Sequence, residues 1–243
     1  MREHEVAAKL THRGRGLGKL EKRVGPVCQA IQDRLTATKK KIRLLEIGCG
    51  LGVALMELRH RFRDSVELTG TNKERSHGNR ETMLAAASLC NVGNLADGQP
   101  IVLPTILYCD MASGLPFDDC SFEVVVSQMC IQYVDDKVLF LREAARVLTE
   151  DGIAMIHTPL IASDMPPPFD LLLEIWDQGT LLPFSTYLAG LKGQSEKRFG
   201  YHSCVHLSHK VEFGSDLELV YSIRLNKIFP SWDGVKSTYR RKY

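Results

Sequence analysis

The chain has 243 residues and a mass of 27.3 kDa, with 44% hydrophobic and 25% charged residues, which is typical of a globular protein with a sizeable core. No apolar run approaches the roughly 20 residues needed to cross a bilayer, so we expect no membrane span and no membrane partner. The first residues also lack the apolar stretch of a secretory signal.

The formal net charge of +2 is unevenly distributed. Residues 1–43 contain 12 Lys/Arg against 4 Asp/Glu, and residues 221–243 contain 6 against 1, so the central part of the chain is acidic. Two basic ends favour an anionic partner such as RNA or a ribonucleoprotein. Solvated basic tails explain the same distribution equally well, and both interpretations stay open.

The cysteines indicate a reducing compartment. Their number is odd and no two form a C-x-x-C pair, which is typical of free thiols. We therefore predict an intracellular location, with the cytoplasm as the first choice and the mitochondrial matrix as the second. The seven are Cys28, Cys49, Cys90, Cys109, Cys120, Cys130 and Cys204.

Polar residues and glycines dominate the start of the chain, so residues 1–22 are predicted to form a flexible basic arm and residues 23–243 a single domain. Apolar residues then recur at every fourth position from Val24 to Thr36, which predicts a helix.

Strand and helix patterns alternate through the middle of the chain, which predicts a doubly wound α/β fold with a parallel, Rossmann-like sheet. The predicted strands are 42–47, 66–71, 101–109 (or from after Pro104), 122–128 and 153–157, and the predicted helices are 53–62, 75–89 and 136–148.

The last third of the chain departs from this alternation. A helix is predicted at 169–177 after three consecutive prolines, and strands at 203–213 and 217–228 are predicted to form an antiparallel hairpin. We thus expect a mostly parallel, seven-stranded sheet with an antiparallel terminal strand.

The strongest motif is Glu46-Ile47-Gly48-Cys49-Gly50-Leu51-Gly52, in which a buried strand leads through three alternate glycines into a helix. Glycines at this spacing permit a sharp turn and a close approach of the backbone to a ligand. A tight strand–helix turn without a ligand is the alternative, and several nucleotide-binding folds share the pattern.

A second segment distinguishes among the nucleotide-binding folds that share the glycine pattern. Asp110-Met111 and the run from Leu115 to Val125, together with the glycine motif, resemble the class I S-adenosylmethionine-dependent methyltransferases, and the resemblance extends over about residues 42–158. It implies S-adenosylmethionine as cofactor, with the acidic residue before the glycines holding its amino-acid part and Asp110 binding the adenine amino group. The cofactor residues it implies are Glu46, Gly48, Cys49, Gly50, Gly52, Asn72, Asp110, Met111 and Ser127.

Asn72 is a departure from that family, whose members often carry an acidic residue at the end of the second strand to bind the ribose hydroxyls. An amide can still bond a hydroxyl, but it is a weaker acceptor than a carboxylate. Glu74, two residues further on, is a candidate to compensate.

The acceptor and the catalytic groups are less defined. Gln128, Gln132 and Tyr133 follow the fourth strand, where the family often contacts its substrate, although ordinary loop polarity explains them equally well. His157 is a weak candidate for a base, with a structural histidine as the stronger interpretation. Cys130 lacks the preceding proline of RNA cytosine C5 enzymes and is interpreted as a buried thiol.

No metal site is predicted. His202, Cys204, His206 and His209 are clustered in the sequence, but their spacing is not one that zinc sites use.

Two functional hypotheses follow. The first is a methyltransferase acting on a small molecule or on RNA, for which alignment of the acceptor with an activated methyl group supplies much of the catalysis. The second is a catalytically silent methyltransferase-like binding module, such as an RNA or ribosome-assembly factor, whose RNA affinity should fall steeply with salt.

Overall fold

A computed structural model describes residues 16–92, 100–131, 134 and 137–159, together with the backbone of six further strands. Those strands are Leu171–Asp177, Thr180–Pro183, Ser195–Phe199, His202–Ser208, Leu217–Ile223 and Ser237–Lys242. Within this described part, none of the helices is both long enough and apolar enough to cross a membrane.

Two helices precede the sheet: α1 (Leu17–Val24) and α2 (Val27–Thr38). The second confirms the helix predicted at the start of the domain. The first begins inside the stretch predicted as an arm, because Leu17, Leu20 and Val24 share one face and are buried. The arm prediction is therefore wrong from Leu17 onward, while residues 1–15 lie outside the described part.

Five parallel strands form the centre of the fold in the spatial order β3-β2-β1-β4-β5. This arrangement confirms the predicted doubly wound α/β class. The strands are β1 (Ile42–Ile47), β2 (Val66–Asn72), β3 (Thr105–Tyr108), β4 (Phe122–Ser127) and β5 (Leu148–Pro159), and the helices between them are α3 (Val53–Phe62), α4 (Arg80–Leu89) and α5 (Lys137–Arg146).

Both faces of the central strands β1 and β4 are largely buried. In β1, Leu44 packs with the α1–α3 side and Leu45 with the α5 side, because successive residues of a strand point to opposite faces. Val124 and Val125 of β4 alternate in the same way. Apolar residues therefore occupy consecutive positions in the middle of these strands, which explains the Val-rich run in the sequence.

The last third differs from its prediction in two places. Residues 171–177 form a strand, β6, where a helix was predicted, because a short apolar run does not by itself distinguish the two and this one pairs with two neighbouring strands. The predicted hairpin is also wrong. Its first half, β9 (His202–Ser208), pairs with β5 and β8, whereas its second half, β10 (Leu217–Ile223), pairs with β6 and β11.

The remaining strands are β7 (Thr180–Pro183), β8 (Ser195–Phe199) and β11 (Ser237–Lys242). The backbone of β9 runs antiparallel to β5, and β8 runs antiparallel to β9. Since the predicted terminal strand at 217–228 pairs elsewhere, the count of seven strands closed by an antiparallel terminal strand stays a prediction.

Candidate functional site

The glycine loop lies at the carboxyl edge of the sheet, directly after β1 and between the ends of β2 and β4. Gly48, Gly50 and Gly52 all have positive φ angles, of 74°, 58° and 73°. Side chains rarely adopt this conformation, so the alternate glycines are required by the path of the backbone. The predicted strand–loop–helix arrangement is confirmed by the bounds of β1 and α3.

The backbone amides of this loop are bonded within the protein. Gly48 N–H donates to Thr71 Oγ1 at 3.4 Å and Cys49 N–H to the Thr71 carbonyl at 3.0 Å. Gly50 N–H donates to the Asn72 side chain, and Gly52 N–H to the Cys49 carbonyl. In a phosphate-binding loop such amides point at the bound anion. These four amides instead donate to oxygen atoms of the protein.

Glu46 is the carboxyl group at the base of the loop. Its side chain is 4% exposed, and Oε2 is buried with no hydrogen-bond partner in the structure. Burial raises the pKa of this carboxyl from 4.5 to about 8, because an unpaired anion loses its hydration there. A cationic ligand group beside this buried acid would therefore stabilise its ionised form.

Two cysteines lie at the loop: Cys49 is part of it, and Cys130 packs against Gly48. A Cβ on Gly48 would lie 2.5 Å from Cys130 Sγ, so the thiol fills the space that the glycine leaves. Burial raises the pKa of the Cys130 thiol to about 12 and that of Cys49 well above its usual value. Neither sulfur is a thiolate near neutral pH, which agrees with the interpretation of Cys130 as a buried thiol.

Asn72 ends β2 and is 8% exposed. Its Oδ1 accepts the Gly50 N–H at 2.9 Å, while Nδ2 donates to the Gly50 carbonyl at 2.9 Å and to the His77 carbonyl at 3.1 Å. Both amide protons are therefore committed to protein carbonyls. A ribose contact by this residue remains a prediction, and only the oxygen could serve it.

Asp110 and Met111 follow β3, as the resemblance requires of an adenine site. The Asp110 carboxylate is about half exposed and forms an ion pair with Lys73 at 2.7 Å. Met111 begins a short 3₁₀ turn and is buried in the core cluster on the α5 side. Asp110 is thus accessible at the same edge of the sheet as the glycine loop, since β3 is parallel to β2.

The residues after β4 are held by backbone groups. Ser127 is fully buried, and its hydroxyl donates to the Ile47 carbonyl at 3.0 Å, joining the ends of β4 and β1. Gln128 Nε2 donates to the Lys19 carbonyl at 3.1 Å, which ties α1 to this edge. The predicted roles of Ser127 toward the cofactor and of Gln128 toward the substrate remain predictions.

His157, the weak candidate for a base, lies fully buried in β5. Its Nδ1 accepts the backbone N–H of Met129 at 3.3 Å, an arrangement that assigns the neutral form with its proton on Nε2. A ring in this state has no free basic nitrogen to remove a proton from an acceptor. The geometry favours the structural interpretation, in which His157 supports the turn after β4.

Two groups of predicted residues cannot be placed. Gln132 and Tyr133 lie outside the described residues, as do His209 and the side chains of His202, Cys204 and His206. Among the residues whose side chains are described, no group of three or more His, Cys, Asp or Glu could hold a metal ion.

Sequence reasoning missed Thr71 and Lys73, on either side of Asn72. Thr71 holds the first two amides of the loop, and Lys73 pairs with Asp110. The only sequence signal for these roles is their position at the end of a strand next to β1.

The residues present fit S-adenosylmethionine. Oε2 of Glu46 is a buried acceptor without a partner, suited to the ammonium of the cofactor's amino-acid part. The glycines permit the sharp turn at the end of β1, and Asp110 offers an exposed acceptor suited to an adenine amino group. When bound, this cofactor supplies an activated, sulfonium-linked methyl group.

Comparisons with known proteins agree with that fit. Residues 45–156 match the family model described as a methyltransferase domain. The chain is 32% identical over 133 residues to malonyl-[acyl-carrier protein] O-methyltransferase of Halorhodospira halophila, and 26% identical over 129 residues to ajmaline N-methyltransferase of Rauvolfia serpentina. Each match covers 53% of this chain and 40% of the relative.

A solved S-adenosylmethionine-dependent methyltransferase from Aquifex aeolicus superposes with a TM-score of 0.48 and 14% identity, covering 85% of this chain and 97% of that one. The curated relatives extend well beyond the region they share with this chain, which spans about 40% of their length. The matched region contains the glycine loop, β2, Asp110 and β4, and over these elements the chain is similar to methyltransferase domains.

Proposed function

We propose that this protein transfers the methyl group of S-adenosylmethionine to a small-molecule or RNA acceptor. The observation that carries the proposal is the buried carboxyl group of Glu46, whose Oε2 has no partner at the base of the glycine loop. Keeping an unpaired acid there costs stability, and a ligand with a cationic group beside the loop would offset that cost. A fold without a ligand has no physical need for the arrangement.

Methyl transfer from a sulfonium requires mainly binding and orientation. Glu46 would hold the ammonium group of the cofactor and Asp110 its adenine amino group, so that the two contacts fix the molecule along the carboxyl edge of the sheet. Ser127 would lie beside the cofactor, and Gln128, which follows β4, would border the acceptor. His157 carries no free basic nitrogen, so the acceptor atom should be a good nucleophile or lose its proton to solvent.

The first test is calorimetric binding of S-adenosylhomocysteine and S-adenosylmethionine. Wild type should bind with micromolar affinity, and Asp110→Ala should bind roughly tenfold more weakly or worse, since a hydrogen bond to a charged group is lost. Asp118→Ala is the matched control, because Asp118 is exposed and lies eight residues further along the chain. Failure of the wild type to bind either ligand at millimolar concentration would contradict the proposal.

The acceptor is then identified by transfer of a labelled methyl group to small-molecule extracts and to total RNA in parallel. The curated relatives are named as an N-methyltransferase and an O-methyltransferase, which supports amines, hydroxyls and carboxylates as the first acceptors to test. A silent binding module would instead bind RNA in a strongly salt-dependent manner without binding S-adenosylhomocysteine.

A further inference from the structure

The Asn72 side chain, at the end of β2, joins three segments of the chain. Asn72 Oδ1 and Nδ2 engage both the N–H and the carbonyl of Gly50, each at 2.9 Å, and Nδ2 also reaches the His77 carbonyl at 3.1 Å. The side chain therefore bridges the glycine loop, the end of β2 and the segment before α4. It is 8% exposed, so these bonds are protected from competition with water.

The orientation of the amide is fixed by its partners. Oδ1 faces a backbone donor, whereas Nδ2 faces two backbone acceptors, and a flipped amide would mismatch at each of them. An aspartate could keep only the bond from Gly50 N–H. Its second carboxylate oxygen would lie against the carbonyls of Gly50 and His77, where it has no proton to donate.

The backbone at Gly78 lies very close to the Asn72 side chain. Gly78 has φ +68°, and a Cβ on it would lie 2.7 Å from Asn72 Nδ2 and 2.9 Å from the Gly50 carbonyl oxygen. The backbone at Gly78 thus covers the bridge and leaves no room for a side chain. Both the amide and the glycine are required by the same three-way contact.

We infer that Asn72 is a positioning residue that fixes the glycine loop of the cofactor site, and that it does not serve as the ligand of the ribose hydroxyls. This inference rests on the proposed function for its effect on cofactor binding. It has a testable consequence: a carboxylate at this position would impair the cofactor site of this chain. A ribose ligand would behave in the opposite way, because a carboxylate is the stronger acceptor.

The test compares Asn72→Asp with wild type, using S-adenosylhomocysteine as the probe. We expect roughly tenfold weaker binding or worse at pH 8, since two donated bonds are lost and a charge faces two carbonyls. The deficit should shrink toward pH 5, where the introduced acid gains a proton to donate. Asn79→Asp is the matched control, because aspartate can still accept the Thr82 N–H as the cap of α4, and the bond it loses, from Asn79 Nδ2 to the Arg75 carbonyl, is exposed.

A second measurement needs no cofactor. Hydrogen exchange of residues 48–52 should be faster in Asn72→Asp than in wild type, and unchanged in Asn79→Asp. If wild type fails to bind S-adenosylhomocysteine, the proposed function fails, while hydrogen exchange still tests the bridge. Should Asn72→Asp fail to fold, Gly78→Ala disturbs the same contact without altering Asn72, and we expect the same direction of change.

An analogue without the ribose hydroxyls separates the two roles further. Removing the hydroxyls should weaken binding by the same factor in wild type and Asn72→Asp if the asparagine only positions the loop. Equal or tighter binding by Asn72→Asp at pH 8 would overturn the inference. So would weaker binding with unchanged loop exchange, or a hydroxyl effect that disappears in the variant.

Discussion

Glu46→Gln should abolish a pH dependence of stability that the buried acid creates. The pKa of Glu46 is raised from 4.5 to about 8 by burial, and at about 1.4 kcal/mol per pKa unit this corresponds to about 5 kcal/mol. The folded form holds the proton more tightly than the unfolded chain. The contribution is therefore fully present below pH 4.5 and is lost as the pH rises through 8.

The measurement is the free energy of unfolding by urea at pH 5, 7 and 9, without cofactor. Relative to pH 5, wild type should lose about 2.5 kcal/mol from this group by pH 7 and about 4 kcal/mol by pH 9, whereas Glu46→Gln should lose neither amount. The difference between the two pH profiles is the decisive quantity, because a buried glutamine carries its own constant cost. Parallel profiles would refute the argument that Glu46 is an unpaired buried acid.

Three further outcomes are expected. Binding of S-adenosylhomocysteine below pH 8 should release about one proton, because the ligand's ammonium pairs with the Glu46 carboxylate, and the release should vanish in Glu46→Gln. Calorimetry in buffers of different ionisation enthalpy measures the number of protons released. Equal release by both proteins would count against the pairing. Gly48→Ala should destabilise the protein by about 2–4 kcal/mol, because φ is positive and the new Cβ would lie 2.5 Å from Cys130 Sγ. Gly18→Ala, with nothing within 4 Å in a helix, is its control and should gain about 0.5–1 kcal/mol in the same urea titration. Arg146→Met should cost about 2 kcal/mol, since its guanidinium bonds the Glu143 carboxylate and two backbone carbonyls, and a loss below about 0.5 kcal/mol would show that solvent replaces those bonds.

The central elements could be predicted because their signals are local. The bounds of β1 and α3 agree with the sequence analysis to the residue, since an apolar strand, three glycines and an apolar helix follow one another directly. Glycines that end a strand or precede a helix can be recognised in the sequence without knowledge of the rest of the fold.

Contacts between distant segments could not be predicted in this way. Helix α1 was missed because glycines and basic residues surround its three apolar positions, and because its first amide donates to Glu57, 40 residues away in α3. The bonds of Asn72 to Gly50 span 22 residues, so they too exist only once β2 lies beside β1. A sequence pattern shows that such residues are polar and lie at the ends of strands, but it does not show which residues they bond.

The two residues expected at the nucleoside part of the cofactor differ in how easily they could change partner. Asp110 pairs with Lys73 at an exposed position, and ion pairs of this kind contribute about 0–1 kcal/mol, so an adenine amino group could replace the lysine at little cost. Asn72 makes three buried bonds, and withdrawing its amide to serve a ligand would leave backbone groups of Gly50 and His77 without partners at about 1–3 kcal/mol each. A ligand contact is therefore energetically available at Asp110, while Asn72 is bound to the loop that the ligand approaches.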